Sequence, residues 1–465
     1  MYYWIIGAVF LAVGYSDGGN TQSAVASVVL KDTTTVPKMP VTQNYFTQSK
    51  DTSSFSHPVK GLDNDAEDKF ALGKSFFRIP WVGAHAATTA RDGLGPLFSA
   101  NTCIHCHPHN GAGVAVDKEG KMNRSLLLRL SHRNTQDKEA LKTKGFEPDS
   151  TYGAQLSIHA NHGVRAEAKI DVTYEALSGH YAEGTAYTLQ KPTYHVSALG
   201  YGAFDADTLV APRIGLALVG LGLLEQIPEQ AILSSVDEED KNQDGISGKA
   251  NFVFDSETNS TVLGRFTWKA SASSIKQQVA AAAHNDMGLS NPFFPTDNCT
   301  QKQKECLEQA DTTTLDLPQK RLDAITFYLQ NLAIPTQRKS SHFEEGKALF
   351  ETLQCTACHI PSFTTHQGLS ISAYSDLLLH DMGEGLADGR SEFLATGSEW
   401  RTPPLWGIGL YEKVSGEANF LHDGRARNIE EAILWHGGEA EQSKKAFMAL
   451  DKQSREILHD FLHSI

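Results

Sequence analysis

"CIHCH" at residues 103–107 and "CTACH" at 355–359 decide how this sequence is read. Each packs two cysteines and a histidine into five residues, in a chain of 465 with only six cysteines. C-x-x-C-H is the attachment signature of c-type haem. The two thiols add across the vinyl groups of the porphyrin, and the adjacent histidine is held under the iron as proximal ligand. Cys103, Cys106 and His107 are therefore expected to hold one covalently attached haem, and Cys355, Cys358 and His359 a second. Zinc sites bring two C-x-x-C knuckles within about 15–20 residues of each other, whereas here the whole span from 107 to 355 intervenes. A disulfide oxidoreductase needs one such motif and no following histidine. The remaining pair, Cys299 and Cys306, reads as a local disulfide in an oxidising compartment, with two free thiols as the alternative.

Working outward, each motif has a similar helix start ahead of it: "FALGKSFF" (70–77) before the first and "FEEGKALF" (343–350) before the second, both F-x-x-G-K-x-x-F. Each is an amphipathic start with a small residue at a close contact. Repetition around both motifs implies a mainly α fold with two cytochrome c-like haem domains. Boundaries are expected at 65–335 for the N-terminal haem domain and 336–465 for the C-terminal one. Alternating apolar and polar residues near 150–200 ("AQLSIHA", "AKIDVTYEA", "TAYTLQKPTYHV") imply an inserted β-rich subdomain. "SKKAFMALDKQSREILHDFLHSI" closes the chain as an amphipathic helix, expected on the start helix of its own unit.

At the other end, "MYYWIIGAVFLAVG" is an apolar run too short to span a bilayer comfortably, followed by small residues at Ala24–Ala26. Residues 1–26 read as a secretory signal peptide directing the protein to the periplasm, with no membrane span in the mature form. No Lys or Arg precedes the run, the first being Lys31, so an anchored form stays open. Residues 27–64, rich in Ser, Thr, Gln and Asp, read as a flexible tether. The net charge of −14 excludes nucleic acid as a partner, since a phosphate backbone needs a basic surface. It suits a small basic protein. "DKNQDGISG" (240–248) sets Asp240, Asn242 and Asp244 at alternating positions before Gly245, the start of a calcium loop. Asn251 stands where the bidentate Glu belongs, and a plain polar turn is the alternative.

From about residue 65 to the end the chain resembles the bacterial di-haem cytochrome c peroxidases, and more closely their di-haem oxidoreductase or thiol oxidoreductase relatives. The resemblance lies in "LGLLEQIPE", "DGISGKANFV", "LGRFTWKAS", "YSDLLLHDMGEGLADG" and "FLHDGRARNIEEAILWHGGEA". In the peroxidases the last segment ends in a Met that ligates the electron-transfer haem. Here His436 stands at that place, which implies a bis-histidine C-terminal haem through His359 and His436; axial Met generally raises the potential. Met382 is the rival ligand, and a plain helical histidine is the alternative role for His436.

A fainter copy of the same segment, "FTWKASASSIKQQVAAAAHNDMG" (266–288), pairs Phe266 with Phe420, Trp268 with His422, Ile275 with Ile429 and Ala282 with His436. Alanine cannot coordinate iron, so the N-terminal haem is expected to keep an open or exchangeable face, with His284 and Met287 near enough to close it. The resemblance also implies an inter-haem Trp at Trp268, a Gln at Gln278 and, after deleting about two residues, a proton-moving acid at Asp286. Core packing for Trp268 and a helix-end role for Asp286 are the alternatives. The expected function is peroxidase-like catalysis at the N-terminal haem, with electrons from a small cytochrome or cupredoxin passing through the C-terminal haem to an oxidant such as peroxide. A non-catalytic electron carrier and an oxidase of a thiol or protein substrate are the other readings.

Overall fold

The computed structural model describes residues 45–310 and 313–465. The expected signal peptide, and the tether as far as residue 44, lie outside them. Six helices frame the site: α1 (Asn64–Arg78), α2 (Ile275–Met287), α3 (Gln319–Gln330), α4 (Phe343–Thr352), α5 (Ile429–Trp435) and α6 (Lys452–Ser464). The two F-x-x-G-K patterns fall in α1 and α4, and their glycines show what the repeat is for. A Cβ on Gly73 would stand 1.9 Å from the Ala324 carbonyl oxygen of α3, and one on Gly346 would stand 2.4 Å from Phe461 Cβ of α6. Each glycine therefore lets the first helix of its half cross the last one closely. The local chemistry agrees with helix at these places. Asp63 caps α1 by accepting from Ala66 N, with Asp65 and Glu67 in the first turn and Arg78 in the last, matching the helix dipole.

The expectation of a mainly α fold is overturned: the described residues are 29% helical and 20% strand. The strands make seven two-stranded sheets among the described residues. Several are ladders only two residues long, such as Leu97–Phe98 with His159–Ala160 and Phe363–Thr364 with Ser370–Ile371. They pin loops to one another and carry no sequence period. Two ladders are the longest. Leu126–His132 pairs antiparallel with Thr208–Ile214, and Lys169–His180 forms a hairpin with Ala186–Ser197. Threonines, tyrosines and valines at alternate positions suit that pleated surface.

The two halves exchange parts of their cores. Phe363, Ile371, Leu377, Trp406 and Leu410 pack into the core built by α1, α2 and α3. In return, Tyr181 and Leu189 of the hairpin enter the core built by α4, α5 and α6. There the Arg455 guanidinium sits 3.7 Å over the Tyr181 ring and Ala182 N donates to Met448 O at 3.1 Å. Residues 45–62, read from composition as tether, are packed: Phe46–Thr47 pair in parallel with Ile334–Pro335, and Phe55 is 0% exposed. No helix of the described residues is long and apolar enough to cross a membrane.

Because a methyl group at either crossing meets atoms at sub-contact distance, Gly73→Ala and Gly346→Ala should each destabilise the folded protein by about 1–3 kcal/mol, the usual cost of overpacking. Urea unfolding would check this. A midpoint equal to that of the wild type would show that the helices separate without cost.

Candidate functional site

In the first half, Cys103–His105 forms a single tight turn, and His107 follows with its ring against the backbone of Gly215. A Cβ on Gly215 would lie 2.5 Å from the Cys106 carbonyl oxygen and 2.8 Å from His107 Cε1, so only glycine leaves room for the imidazole. His107 Nδ1 donates to Leu216 O at 2.7 Å, and in the second half His359 Nδ1 donates to Tyr374 O at 2.8 Å. Donation from Nδ1 leaves the Nε2 lone pair available as a ligand in both rings. Burial pushes each ring down to about 4, so both are neutral near pH 7. Cys103, Cys106, Cys355 and Cys358 are free thiols, and burial pushes Cys103 and Cys355 up to about 12. This donor set, neutral thiols beside an oriented neutral imidazole, fits covalent haem.

Each motif opens onto a chamber. The first, about 830 Å³, is lined by Cys103, Cys106 and His107 and extends along α2. That is the upper range of cavities that hold large ligands. The second chamber is lined almost wholly by apolar atoms and contains Cys355, Cys358 and His359. Trp268, Arg401, Pro403, Pro404 and Tyr411 line both, forming a shared wall. Trp268 Nε1 donates to Ile214 O at 2.8 Å, which fixes the indole there.

The weak sequence pairing of 266–288 with 420–438 corresponds to one local frame built twice. Phe266 bridges Ala272 as Phe420 bridges Ala426. Ser274 then caps α2 by accepting from Gln277 N, as Asn428 caps α5 by accepting from Glu431 N. The two aligned positions lie in the corresponding chambers, Ala282 in the first and His436 in the second. His436 Nδ1 donates to Ala432 O at 2.7 Å, the arrangement seen in His107 and His359. Met382 also lines the second chamber, and its carbonyl oxygen approaches Gly437.

Gln278, His284, Asp286 and Met287 all line the first chamber from α2. Asp286 is 16% exposed, its Oδ1 lies 3.5 Å from Arg129 Nη2, and that oxygen accepts no hydrogen bond. Burial raises its pKa against the opposing pull of Arg129. His284 stacks on Phe294 at 4.8 Å, burial pushes it down to about 4, and its Nδ1 has no hydrogen-bond partner. Cys299 and Cys306 are disulfide-bonded, and Cys299 is among the residues lining the first chamber.

The 240–248 loop stands apart, and its side chains serve its own turns. Asp240 accepts from Gly245 N, Asn242 Oδ1 from Asp244 N and Asp244 Oδ1 from Ile246 N, all exposed. A second cluster, His132, Asp149 and Asp205, brings three ligand atoms within 4.8 Å of one another. These groups are already engaged: His132 bonds Asp205 at 3.1 Å, and Asp149 accepts from the backbone N–H groups of Thr151, Tyr152 and Asp205.

Sequence reading missed two buried polar networks. His380, 3% exposed, is held between Asp376 Oδ2 and Glu439 Oε2, each at 2.8 Å, beside Cys358. Burial lowers its pKa, but the two carboxylates outweigh burial and hold the ring as imidazolium. Between the chambers, Arg213 pairs with Asp388 and Glu392, and Arg390 with Glu392. Lys269 Nζ, fully buried, lies 3.9 Å over the Trp400 ring, while His422 stacks on Trp400 at 3.8 Å. Asp376 with His380 and Arg390 with Glu392 are local pairs, but the partners that complete the networks, Glu439 and Arg213, come from distant segments.

A family model described as "Di-haem oxidoreductase, putative peroxidase" matches residues 35–465. No curated protein matches the chain. Among solved structures, hydrazine synthase of Kuenenia stuttgartiensis is similar at 17% identity over 37% of this chain, with a TM-score of 0.24. The match spans 65% of that chain's own length.

Since the space beside Gly215 orients His107, Gly215→Val should displace that imidazole and change the absorption spectrum of one haem while leaving the other as it was. A folded variant with both haem spectra unaltered would show that the ring does not depend on this gap.

Proposed function

The chain belongs to the di-haem oxidoreductase family, and from that premise we propose that it is an exported c-type cytochrome that reduces peroxide at its N-terminal haem. Cys103, Cys106 and His107 would hold one haem, and Cys355, Cys358, His359 and His436 the other. When bound, the two haems supply one-electron storage, so that a peroxide can be reduced by two electrons and two protons to two waters.

The observation that carries this reading is the difference between the two ligand slots. His436, with Nδ1 tied to Ala432 O, keeps Nε2 available in the chamber that His359 also lines, which suits an iron that only exchanges electrons. Ala282, in the matching slot of the first chamber, offers no ligand atom. Beside it, Asp286 keeps one carboxylate oxygen without a hydrogen bond, with its pKa raised by burial. A carboxylate so placed can take a proton from the near oxygen of a peroxide and return it to the departing one. Arg129, 3.5 Å away, stabilises its charged form between those steps.

Trp268, on the shared wall, is the proposed relay between the haems. Trp400 also lines the second chamber, but Lys269 Nζ at 3.9 Å and Arg213 Cζ at 4.7 Å sit over its ring. Cations on an aromatic face oppose removal of an electron from it. A small electron-donor protein would supply the second haem; the net charge of −14 favours a basic one. One observation favours a pure electron carrier instead: the unpartnered Nδ1 of buried His284 is a second candidate ligand for the first iron.

Intact mass should show two haem additions that acid solvent does not extract. Asp286→Asn should slow peroxide reduction by about 10²–10⁴, the usual loss of a general acid–base group, with both haems retained. His284→Ala should leave turnover undiminished. If His284→Ala instead creates peroxide reactivity that the native protein lacks, the electron-carrier reading takes over.

A further inference from the structure

Four arginines line the two chambers: Arg129, Arg213, Arg390 and Arg401. Three have a carboxylate beside them: Arg129 has Asp286, Arg213 has Asp388 and Glu392, and Arg390 has Glu392. Arg401 differs. It is 4% exposed and lies in the wall shared by both chambers, yet it forms no ion pair among the described residues. Its Nε donates to Thr267 O at 2.7 Å and its Nη1 to Thr402 O at 3.0 Å. Two of the five guanidinium N–H groups are thereby used, and both go to neutral carbonyls. The carboxylate whose charge it feels most, Asp376, is already hydrogen-bonded to His380 at 2.8 Å.

A guanidinium taken out of water needs an anion, and a planar fork of donors matches a carboxylate best. Arg401 is also held firmly in place. Its backbone N donates to Trp268 O at 2.8 Å, and its strand pairs with Leu379–Asp381. A side chain fixed on both sides, with unused donors lining a chamber, is preorganised for a ligand carboxylate.

We propose that Arg401 is the counter-cation of a haem propionate at the wall between the two chambers. Its side chain binds the propionate through the N–H groups that the two carbonyls leave free, and its charge stabilises the reduced iron nearby. The assignment rests on the di-haem reading, but not on which reaction the haems serve.

The test uses the holo-protein with Arg401→Gln and Arg401→Lys, haem content being measured first. Spectroelectrochemical titration should show at least one midpoint shifted to lower potential in Arg401→Gln, with partial recovery in Arg401→Lys. The propionate bending bands in resonance Raman spectra should move in both variants. A folded, fully haem-loaded Arg401→Gln with unchanged midpoints and unchanged propionate bands would overturn the proposal. Should Arg401→Gln fail to accumulate, the Raman bands of Arg401→Lys decide alone: lysine cannot reproduce the fork, so unchanged bands overturn the proposal and shifted bands support it. A native protein without two haems would defeat the underlying di-haem reading and leave this pairing without an object, so the two failures are distinguishable.

Discussion

A hydrogen bond from the imidazole of each C-x-x-C-H motif to a backbone carbonyl is the constraint around which this chain is arranged. By donating Nδ1–H to Leu216 O and to Tyr374 O, His107 and His359 are fixed in tautomer and orientation, with Nε2 turned to its chamber. The carbonyl is 15 residues away in the second half and 109 residues away in the first. The first half must therefore return from a long excursion to complete its site. It does so along Thr208–Ile214, which pairs with Leu126–His132 and delivers Gly215 and Leu216 to the His107 ring. The excursion in between carries the long hairpin, whose tip enters the core of the other half. One requirement, a carbonyl beside an imidazole, thus accounts both for the insertion and for the interlocking of the halves.

Within that arrangement the halves keep the same local frame and differ in one functional position. The bridge, the helix cap and the first helical isoleucine recur at Phe266, Ser274 and Ile275 and again at Phe420, Asn428 and Ile429. Where α5 ends in His436, α2 continues through Ala282 to Met287. The continuation is what brings His284 and Asp286 to the first chamber. One change of residue type and about two helical turns thus give the two similar units different side chains in their chambers. Charges buried between them are mostly paired with one another, as buried ions must be.

What the sequence disclosed and what it concealed follow from locality. The two C-x-x-C-H motifs are contiguous, so "CIHCH" and "CTACH" are plain, and the tight turns they form are local. The glycines of α1 and α4 recur because each helix needs a close crossing, and Ala282 could be aligned with His436 because caps and bridges are short-range. The balance of helix and strand was misjudged because ladders such as Leu97–Phe98 with His159–Ala160 have no period to detect. The packing of residues 45–62 was hidden by polar composition, although Tyr45, Phe46 and Phe55 were its signal. Leu216 and Glu439 act through partners far along the chain, Asp376 and His380 sit four residues apart but need Glu439 to complete their network, and Arg401 is placed by Thr267 from a distant segment.

The central claim is that the two haem sites are unequal, one closed by two imidazoles and one open or exchangeable. It is tested most directly by electron paramagnetic resonance of the oxidised and half-reduced native protein, with and without cyanide. Unequal sites should give one low-spin signal of bis-imidazole type that cyanide leaves untouched, and a second haem whose signal cyanide converts, at the latest when its partner is reduced. Two identical low-spin signals, unmoved by cyanide in every redox state, would contradict it.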